Sequence, residues 1–453
     1  MLGAIPILLS VQCGVWMDYR TIADSVAADV AAGRLRPGDQ LPPQRRFARQ
    51  RGIAVSTAAR VYGELVRRGL AVGETGRGTY IRAAPKPESA LAEPAGATVD
   101  LELNFPVLPE QPGLIVASLG PVLRPDLLVQ GLGPSVVTGT AEARAEAARV
   151  LARGEWAPDA GDVVFTGNGR QAIAAAMAAL VPAGERLGVE ALTYPVVKGI
   201  AARLGVTLVP LEMDSSGVVP DLPPRLRAVY LQPVLHNPLG VTMPAARRAE
   251  LAEAVRERDL PVIDDGINGF LRPDVAPLAE LAPERTIVLD SLSKRLAPGM
   301  TLGFAVAPPV LRDRLAAAVR SGGWAAAQFP LTVATRLMAD GTLAKIEAAK
   351  RDDAMARQEL VRTRLAGFSV RADPRAYHCW WQLPEPWRAE TFVAAAARRG
   401  IAVTPAAAFA VTPGRAPTAV RLALASPRLD VLAGALDTLA ALARSSPEDS
   451  GIE

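Results

Sequence analysis

Residues 287–309 read IVLDSLSKRLAPGMTLGFAVAPP. Two short apolar runs, IVLDSL and LGFAVA, have the length and composition of buried strands, and the polar turn SKRLAPG separates them. Lys294 therefore lies at the end of a predicted strand, where burial would lower its pKa and leave an amine able to form a Schiff base with an aldehyde. Ser291 and Ser293 flank it with hydroxyls that could bind a phosphate. Taken alone, the pattern is also typical of an ordinary solvent-exposed lysine in a loop after a strand.

Strand-like runs alternate with helical periods from about residue 99 onward. This alternation predicts a doubly wound, mostly parallel α/β sheet. Residues 340–445 contain a long helical pattern and then several strand-like runs, which predicts a small α+β subdomain. The runs predicted as strands of the main sheet are DVVFT, RLGVE, VTLVPLE, AVYLQP, LPVIDD, RTIVLDS and LGFAVA.

Polar residues follow several of these strands, at the edge of the sheet where open α/β proteins bind ligands. Gly169 opens a helix directly after DVVFT, and its missing side chain lets the backbone approach a phosphate. The other candidates at strand ends are Asn168, Arg170, Tyr194, Asn237, Asp264 and Asp265. Each of them alone is also consistent with an ordinary loop or surface residue.

The N-terminal part of the chain is basic, whereas the rest is slightly acidic. The chain carries a formal charge of +4, and residues 18–82 hold twelve Arg and six Asp or Glu. A small basic domain on a slightly acidic body is typical of proteins that bind a phosphate backbone. Helical spacing in 18–68, followed by GLAVGETGRGTYI, predicts a winged helix with a Gly-rich wing tip.

Other features of composition limit the class of protein. Cys13 and Cys379 are too few for a disulfide framework, which favours a reducing cytoplasm. The only histidines are His236 and His378, so we expect no histidine-based metal site. Residues 1–17 are apolar but too short to span a membrane. We expect that Met17 is the natural start of the protein.

These motifs together resemble one family of regulators. SLSKRLAPGMTLGF is similar to the cofactor-lysine segment of fold-type I aminotransferases, and GRLRPGDQLP with its following helix and wing resembles the GntR DNA-binding domain. Over residues 18–445 the chain resembles MocR-type regulators, which are GntR-family transcription factors with an aminotransferase-like effector domain. The resemblance implies a homodimer and a pyridoxal 5′-phosphate (PLP) aldimine on Lys294.

The resemblance also implies a role for each candidate. Phosphate would be bound by Asn168, Gly169 and Arg170 beside the two serines, and Tyr194 would stack on the pyridine ring. Asn237 would donate to the phenolic oxygen. Asp265 would face the ring nitrogen with Asp264 at the neighbouring acidic position, although an exchange of these two roles stays open. Arg421 would bind the carboxylate of a ligand.

On the N-terminal domain, the resemblance implies that DNA is contacted by residues of the second helix, the recognition helix and the wing tip. These are Arg45, Ser56, Thr57, Arg60 and Arg77. The family usually begins its third helix with Ser-Arg, and Ala54 and Val55 stand there instead. A capping hydroxyl and one contact are therefore missing.

Two further departures concern the cofactor. Thr301 stands where relatives have an Arg that binds the phosphate, and Ile267 stands where they have a Tyr that donates to the phenolic oxygen. The loss of a charge-assisted contact costs on the order of 1.5–3 kcal/mol. Arg170 or Arg295 could supply a replacement.

We therefore interpret the chain as a cytoplasmic transcriptional regulator. It would bind a double-stranded DNA operator through residues 18–82, linked by 83–98 to an effector and dimerisation domain at 99–445, with a tail at 446–453. Its ligand would be an amine, an amino acid or PLP itself. One alternative is a working PLP-dependent aminotransferase, and another is a repressor whose large domain has lost PLP and only dimerises.

Overall fold

The computed structural model describes residues 18–31, 34–35, 38–68, 70–74, 78–81, 97–134 and 136–447. The chain divides into two compact units, residues 1–87 with 452–453 and residues 88–451. The predicted extension at 1–17, nearly all of the predicted linker and most of the predicted tail lie outside the described residues. Among the helices described, none has the length and apolar character that a membrane crossing requires.

The first unit is a winged helix, as predicted. Three helices pack around Ile22, Phe47, Val61 and Leu65, all of them buried, and three short antiparallel strands form a sheet in the order β1-β3-β2. Its elements are α1 (Tyr19–Ala31), β1 (Gln40–Leu41), α2 (Gln44–Arg51), α3 (Val55–Arg67), β2 (Ala71–Glu74) and β3 (Gly78–Ile81).

The second unit contains a large sheet, a small sheet and a two-stranded ribbon. Its strands are β4 (Val99–Leu101), β5 (Val163–Thr166), β6 (Arg186–Glu190), β7 (Thr207–Leu211), β8 (Met213–Asp214), β9 (Gly217–Val218), β10 (Ala228–Leu231), β11 (Val262–Asp265), β12 (Thr286–Ser291), β13 (Gly303–Val306), β14 (Ser369–Arg371), β15 (His378–Gln382), β16 (Ile401–Pro405) and β17 (Ala419–Ala423).

Helices separate most of these strands along the chain. They are α4 (Gln111–Leu119), α5 (Pro125–Gly131), α6 (Ala141–Leu151), α7 (Gly169–Leu180), α8 (Pro195–Leu204), α9 (Ala245–Glu257), α10 (Leu292–Arg295), α11 (Pro309–Ser321), α12 (Gln328–Ala339), α13 (Thr342–Arg364), α14 (Ala389–Arg398) and α15 (Leu429–Arg444). Short 3-10 turns fill several of the connections.

The large sheet confirms the predicted doubly wound, mostly parallel architecture. Its strand order is β5-β13-β12-β11-β10-β6-β7, and only β13 runs antiparallel to its neighbours. The central strands are apolar runs because both of their faces are buried. Ile287 and Leu289 pack in the cluster that includes α7, while Val288 and Phe304 pack in the cluster that includes α12. The carboxyl ends of the parallel strands therefore meet at one edge.

The small sheet, in the order β14-β15-β17-β16-β4, belongs to a subdomain built mainly from the C-terminal residues. Its edge strand β4 comes from the beginning of the unit and pairs in parallel with β16. The long helix α13 leads from the large sheet to this subdomain. Gln358 on that helix donates to the backbone oxygens of Ala376 and His378, at 2.6 and 3.1 Å.

Candidate cofactor site and DNA-binding surface

Lys294 lies on α10, the one-turn helix between the antiparallel neighbours β12 and β13. Its Nζ donates to the backbone oxygen of Asn104 and lies 4.1 Å from the ring centroid of Phe105. The segment that follows β4 therefore covers the amine. This contact is not foreseen from the sequence, because nothing in the residues around Asn104 marks it as a partner of a lysine far along the chain.

Burial of the Lys294 side chain lowers the pKa of its amine to about 7, chiefly because the ammonium form loses solvation. The nearby positive charges of Arg421, Arg170 and Lys350 lower this pKa further, whereas Asp265 raises it. A substantial fraction of the amine is consequently free of its proton near neutral pH. That is the state in which a lysine attacks an aldehyde.

Asp265, at the end of β11, is a buried carboxylate with several donors. It accepts a hydrogen bond from Gln232 Nε2 at 2.9 Å, one from the Tyr230 hydroxyl and one from the Ile267 backbone N–H at 3.2 Å. Burial raises the pKa of Asp265 to about 6, although these hydrogen bonds oppose the shift. The donors thus help to keep a negative charge at this position.

Asp264 lies apart from the other candidates, because successive side chains of a strand point to opposite faces of the sheet. Its Oδ2 accepts the Leu278 N–H at 2.7 Å. Burial raises the pKa of this carboxyl, and the positive charge of Arg153 opposes the shift. Of the two adjacent carboxylates, Asp265 acts on the charge of Lys294, whereas Asp264 bonds the Leu278 backbone on the opposite face of the sheet.

The turn between β5 and α7 brings a helix N-terminus close to the serine hydroxyls. The Asn168 side chain caps α7 by accepting the Gln171 N–H at 3.0 Å. A Cβ atom on Gly169 would lie 3.1 Å from Ser291 Oγ, so a larger residue would crowd this approach. Ser293 contacts the same hydroxyl through its own side chain. Free helix N–H groups and hydroxyls at one place form a suitable site for an anion.

Arg170 and Tyr194 interact at the next position around the site. The positive charge of the Arg170 guanidinium group opposes the rise in the Tyr194 pKa that burial causes. Tyr194 is partly buried at the beginning of α8. The negative charge of Asp265 also raises the Tyr194 pKa, whereas the positive charge of Arg421 lowers it.

Arg421, on β17, supplies the guanidinium group on the side of the small sheet. It donates to Asn237 Oδ1 at 3.4 Å, to Thr404 Oγ1 at 3.0 Å and to the Glu102 backbone oxygen. Burial lowers the pKa of Arg421 to about 10. Its Nε is buried and has no hydrogen-bond partner among the described residues. The group thus retains a donor for a ligand.

The positions that depart from the family pattern behave differently from one another. The Thr301 hydroxyl is buried and has no partner within the described part of the chain. Ile267 places an apolar side chain 3.9 Å from where a Cβ on Gly169 would stand. Arg295 is fully buried between Asp290, at 2.7 Å, and Glu347, at 2.6 Å. Of the two arginines considered as replacements, Arg295 is therefore engaged elsewhere.

The residues present fit PLP. The anion site at the start of α7, the covered amine of Lys294 and the buried carboxylate of Asp265 lie near one another. They match, in kind, the phosphate, the aldehyde and the ring nitrogen of that cofactor. Reasoning from the sequence missed Gln232 and Tyr230, although the position of Gln232 at the end of a predicted strand was an available signal.

In the first unit, Arg45 is exposed on α2, and Ser56 and Arg60 are exposed on α3, with Thr57 partly buried beside them. Arg60 lies over the ring of Tyr19, with 4.4 Å between the guanidinium carbon and the ring centroid. Ala54 begins α3 without a side-chain cap, in line with the departure noted in the sequence. Arg77 lies outside the described residues.

Comparison with known families and proteins separates the same two parts of the chain. Residues 135–439 match the family described as aminotransferase class I and II, and residues 18–81 match the bacterial regulatory proteins of the gntR family. The uncharacterized HTH-type transcriptional regulator YdeF of Bacillus subtilis is 26% identical over 419 residues, which cover 90% of each chain. The HTH-type pyridoxine biosynthesis transcriptional regulator PdxR of Corynebacterium glutamicum is 28% identical over 68% of this chain and 70% of its own.

Solved structures agree on the fold of the second unit. The crystal structure of an archaeal alanine:glyoxylate aminotransferase superposes with a TM-score of 0.70 at 21% identity, over 76% of this chain and 90% of the other. At this level of identity the likeness concerns the fold alone.

Proposed function

Because the chain belongs to the aminotransferase class I and II family and carries a gntR-family segment at its N-terminal side, we propose that it is a PLP-dependent transcriptional regulator. It binds an operator in double-stranded DNA through residues 18–82 and senses an amine, an amino acid or PLP through the aminotransferase-like unit. It works in the cytoplasm. It functions as a homodimer, so that two winged helices contact repeated half-sites.

One observation supports regulation above catalysis. A DNA-binding domain is joined to an aminotransferase core that keeps Lys294, Asp265 and Arg421 but carries Thr301 and Ile267 in place of two cofactor-binding residues of relatives. A lower affinity for the cofactor is consistent with a protein that responds to whether its ligand is bound and does not need to turn over a substrate. Among the relatives, PdxR is named as a transcriptional regulator of pyridoxine biosynthesis.

The residues of the site divide the task of sensing. When bound, PLP supplies an aldehyde that combines reversibly with amines. Lys294 offers the amine with a lowered pKa, and Asp265 offers a buried carboxylate for the ring nitrogen. Arg421, held by Thr404 and Asn237, offers its guanidinium group to the carboxylate of a ligand. The ligand changes regulation only by as much as it favours one arrangement of the protein over another.

An apolar surface supports the homodimer. Six apolar side chains are exposed on α4, on α5, on the segments around α5 and at the start of α12, and Phe329 packs against Gly131 within this group. Exposed apolar side chains grouped on neighbouring elements are typical of interaction sites, and a second copy of the same surface is the occupant that we propose. The six are Val116, Leu123, Val129, Leu132, Val136 and Phe329.

DNA binding is tested by selecting duplexes from a random pool with the purified full-length protein and measuring affinity over a series of salt concentrations. Arg45→Ala and Arg60→Ala should each weaken binding and reduce the slope of log affinity against log salt by about one. Arg320→Ala, at an exposed position on α11, is the control and should bind as the wild type does. Wild-type affinity and slope in both winged-helix variants would overturn the assignment of these contacts.

A working aminotransferase is the second candidate, because Lys294, Asn237, Asp265 and Arg421 are all retained. Transfer of the amino group from a panel of amino acids to a 2-oxo acid would establish it. A protein that only dimerises is the third candidate. PLP attached to the protein absorbs in the near-visible, so a band that appears on adding PLP and is lost in Lys294→Ala excludes this third function.

A further inference from the structure

A second lysine, Lys350 on α13, is wholly buried directly behind the turn that carries Lys294. Its Nζ donates to the backbone oxygen of Lys294 at 2.9 Å and to that of Leu296 at 2.5 Å. Burying an ammonium group is costly unless the group is well bonded, and an apolar residue would fill this space at a lower cost. The contact with the lysine turn is therefore the feature that needs explaining.

The turn itself shows why such a donor matters. α10 is only one turn long, so the carbonyl groups at its end have no partners within the helix. Lys350 donates to two of these groups, and Gln111 Nε2 is a second side-chain donor to the Leu296 oxygen, at 2.9 Å. A separate ion pair, between Arg295 and Glu347, joins the same two helices. The backbone at Lys294 is thus fixed to α13 at two places.

Lys350 is fixed from its other side as well. The Tyr377 hydroxyl, next to β15, donates to the Lys350 backbone oxygen at 2.7 Å and to Asp353 at 2.9 Å. The main chain that carries Lys350 is therefore tied to the small subdomain. The ammonium group has a defined position relative to both parts of the unit.

We propose that Lys350 is a positioning residue for Lys294, holding the backbone of its turn so that the Lys294 amine is presented toward Asp265, Tyr194 and Arg421. This inference rests on the proposed function only in taking Lys294 as the reactive amine. Lys350 itself touches no ligand in this account. It acts through the carbonyl oxygens of the turn and through its charge.

The charges around Lys294 make the proposal measurable. The amine is faced by Arg421 from β17, Arg170 from the start of α7, Lys350 from α13 and Asp265 from β11. The three basic groups disfavour a proton on Lys294, although burial also lowers the pKa of Lys350 to about 7, so that its positive charge is only partly present at pH 7. Removing Lys350 takes away this partial charge and the donor to two carbonyl oxygens, so the pKa of Lys294 should rise.

The experiment measures the Lys294 amine without any cofactor. Apo protein is labelled with trace acetic anhydride over a pH series, and the labelled Lys294 peptide is quantified by mass spectrometry. In Lys350→Met, labelling of Lys294 at pH 7 should fall by about twofold, which corresponds to a rise of about half a unit from a pKa of about 7. Gln358→Met is the matched control. Gln358 is also on α13 and is a buried donor to two backbone oxygens, those of Ala376 and His378. Its replacement should leave the Lys294 labelling profile unchanged.

Lys350→Gln carries the test if Lys350→Met does not fold, since the amide keeps one donor and removes the charge. It should also reduce labelling at pH 7, by less than Lys350→Met does. A wild-type Lys294 profile in either folded variant would overturn the proposal, even if the melting temperature falls. The labelling experiment contains no PLP. A failure of the protein to bind PLP would therefore contradict the proposed function but would not affect the Lys294 labelling result.

Discussion

Gln232 Nε2 donates to the buried carboxylate of Asp265 at 2.9 Å, and Gln232 Oε1 accepts the Asn237 backbone N–H at 3.2 Å. One side chain thus joins the carboxylate proposed to face the ring nitrogen to the residue proposed to face the phenolic oxygen. Gln232 comes directly after β10, the strand that pairs with β11, which carries Asp265. Gln232 thus fixes the distance between Asp265 and Asn237, although the sequence pattern did not identify it as a site residue.

We expect Gln232→Leu to weaken PLP binding by tenfold or more. The Asp265 carboxylate would lose a donor worth about 1.5–3 kcal/mol, its pKa would rise, and less of it would be ionised against the ring nitrogen. Equilibrium titration of the near-visible absorbance at fixed pH measures the affinity. Gln358→Leu, another buried glutamine that bonds backbone oxygens, should bind PLP as the wild type does. Equal affinity in Gln232→Leu and the wild type would rule out this role.

Thr301→Arg should strengthen PLP binding by about tenfold. On the resemblance to fold-type I aminotransferases, we propose that Thr301 takes the place of a phosphate-binding Arg, and its hydroxyl has no partner among the described residues. A guanidinium group there would add a charge-assisted contact. The same titration measures it, and inorganic phosphate should compete more strongly with PLP in this variant.

Thr301→Val is the control for the prediction at Thr301, because it removes the hydroxyl and nearly keeps the volume. It should weaken binding modestly. If Thr301→Arg binds PLP no better than Thr301→Val does, the phosphate does not lie beside this position.

The rate at which PLP attaches should depend on pH with a midpoint near 7, the value to which burial lowers the pKa of Lys294. Below the midpoint the amine carries a proton and cannot attack the aldehyde. Above it the amine is free, so the rate rises and then levels off. Stopped-flow absorbance over a pH series provides the measurement. A rate that keeps rising toward the ordinary lysine pKa of about 10.4 would show that the amine is solvated.

If the proposed homodimer forms through this surface, Leu132→Glu should be monomeric at concentrations where the wild type is dimeric. Leu132 is 74% exposed within the apolar surface of α4, α5 and α12, and a carboxylate buried there against a second copy would be unpaired. Sedimentation equilibrium gives the dissociation constants. Val310→Glu is matched in exposure, at 76%, and lies on α11, so it should dimerise normally. Equal dissociation constants for the two variants would place the interface elsewhere.

Most of the large sheet could be predicted because its strands are apolar runs with sharp polar ends. RLGVE is β6 residue for residue, and RTIVLDS differs from β12 only by its first residue. The strand β4 could not be predicted in this way, because its three residues form a strand only by pairing with β16, which is distant in the sequence.

Some residues of the candidate site could likewise be predicted from the sequence and others could not. Residues at the ends of strands, such as Asp265 and Arg170, carry a local signal, since the sheet brings those ends together. Lys350 carries none, because charged residues are usual on a long helix with a solvated face, and its burial follows only from the packing of α13. Asp264 shows that adjacency in the sequence does not place two residues in the same site, because successive side chains of a strand point to opposite faces of the sheet.

The pairing of β4 with β16 has a consequence for signalling. The chain enters the aminotransferase-like unit through β4, and shortly afterwards Asn104 accepts the hydrogen bond of Lys294. A molecule that draws the amine away from Asn104 releases a carbonyl group close to the point where the polypeptide arrives from residues 18–81. The main chain itself therefore connects Asn104, the hydrogen-bond partner of Lys294, to the DNA-binding segment.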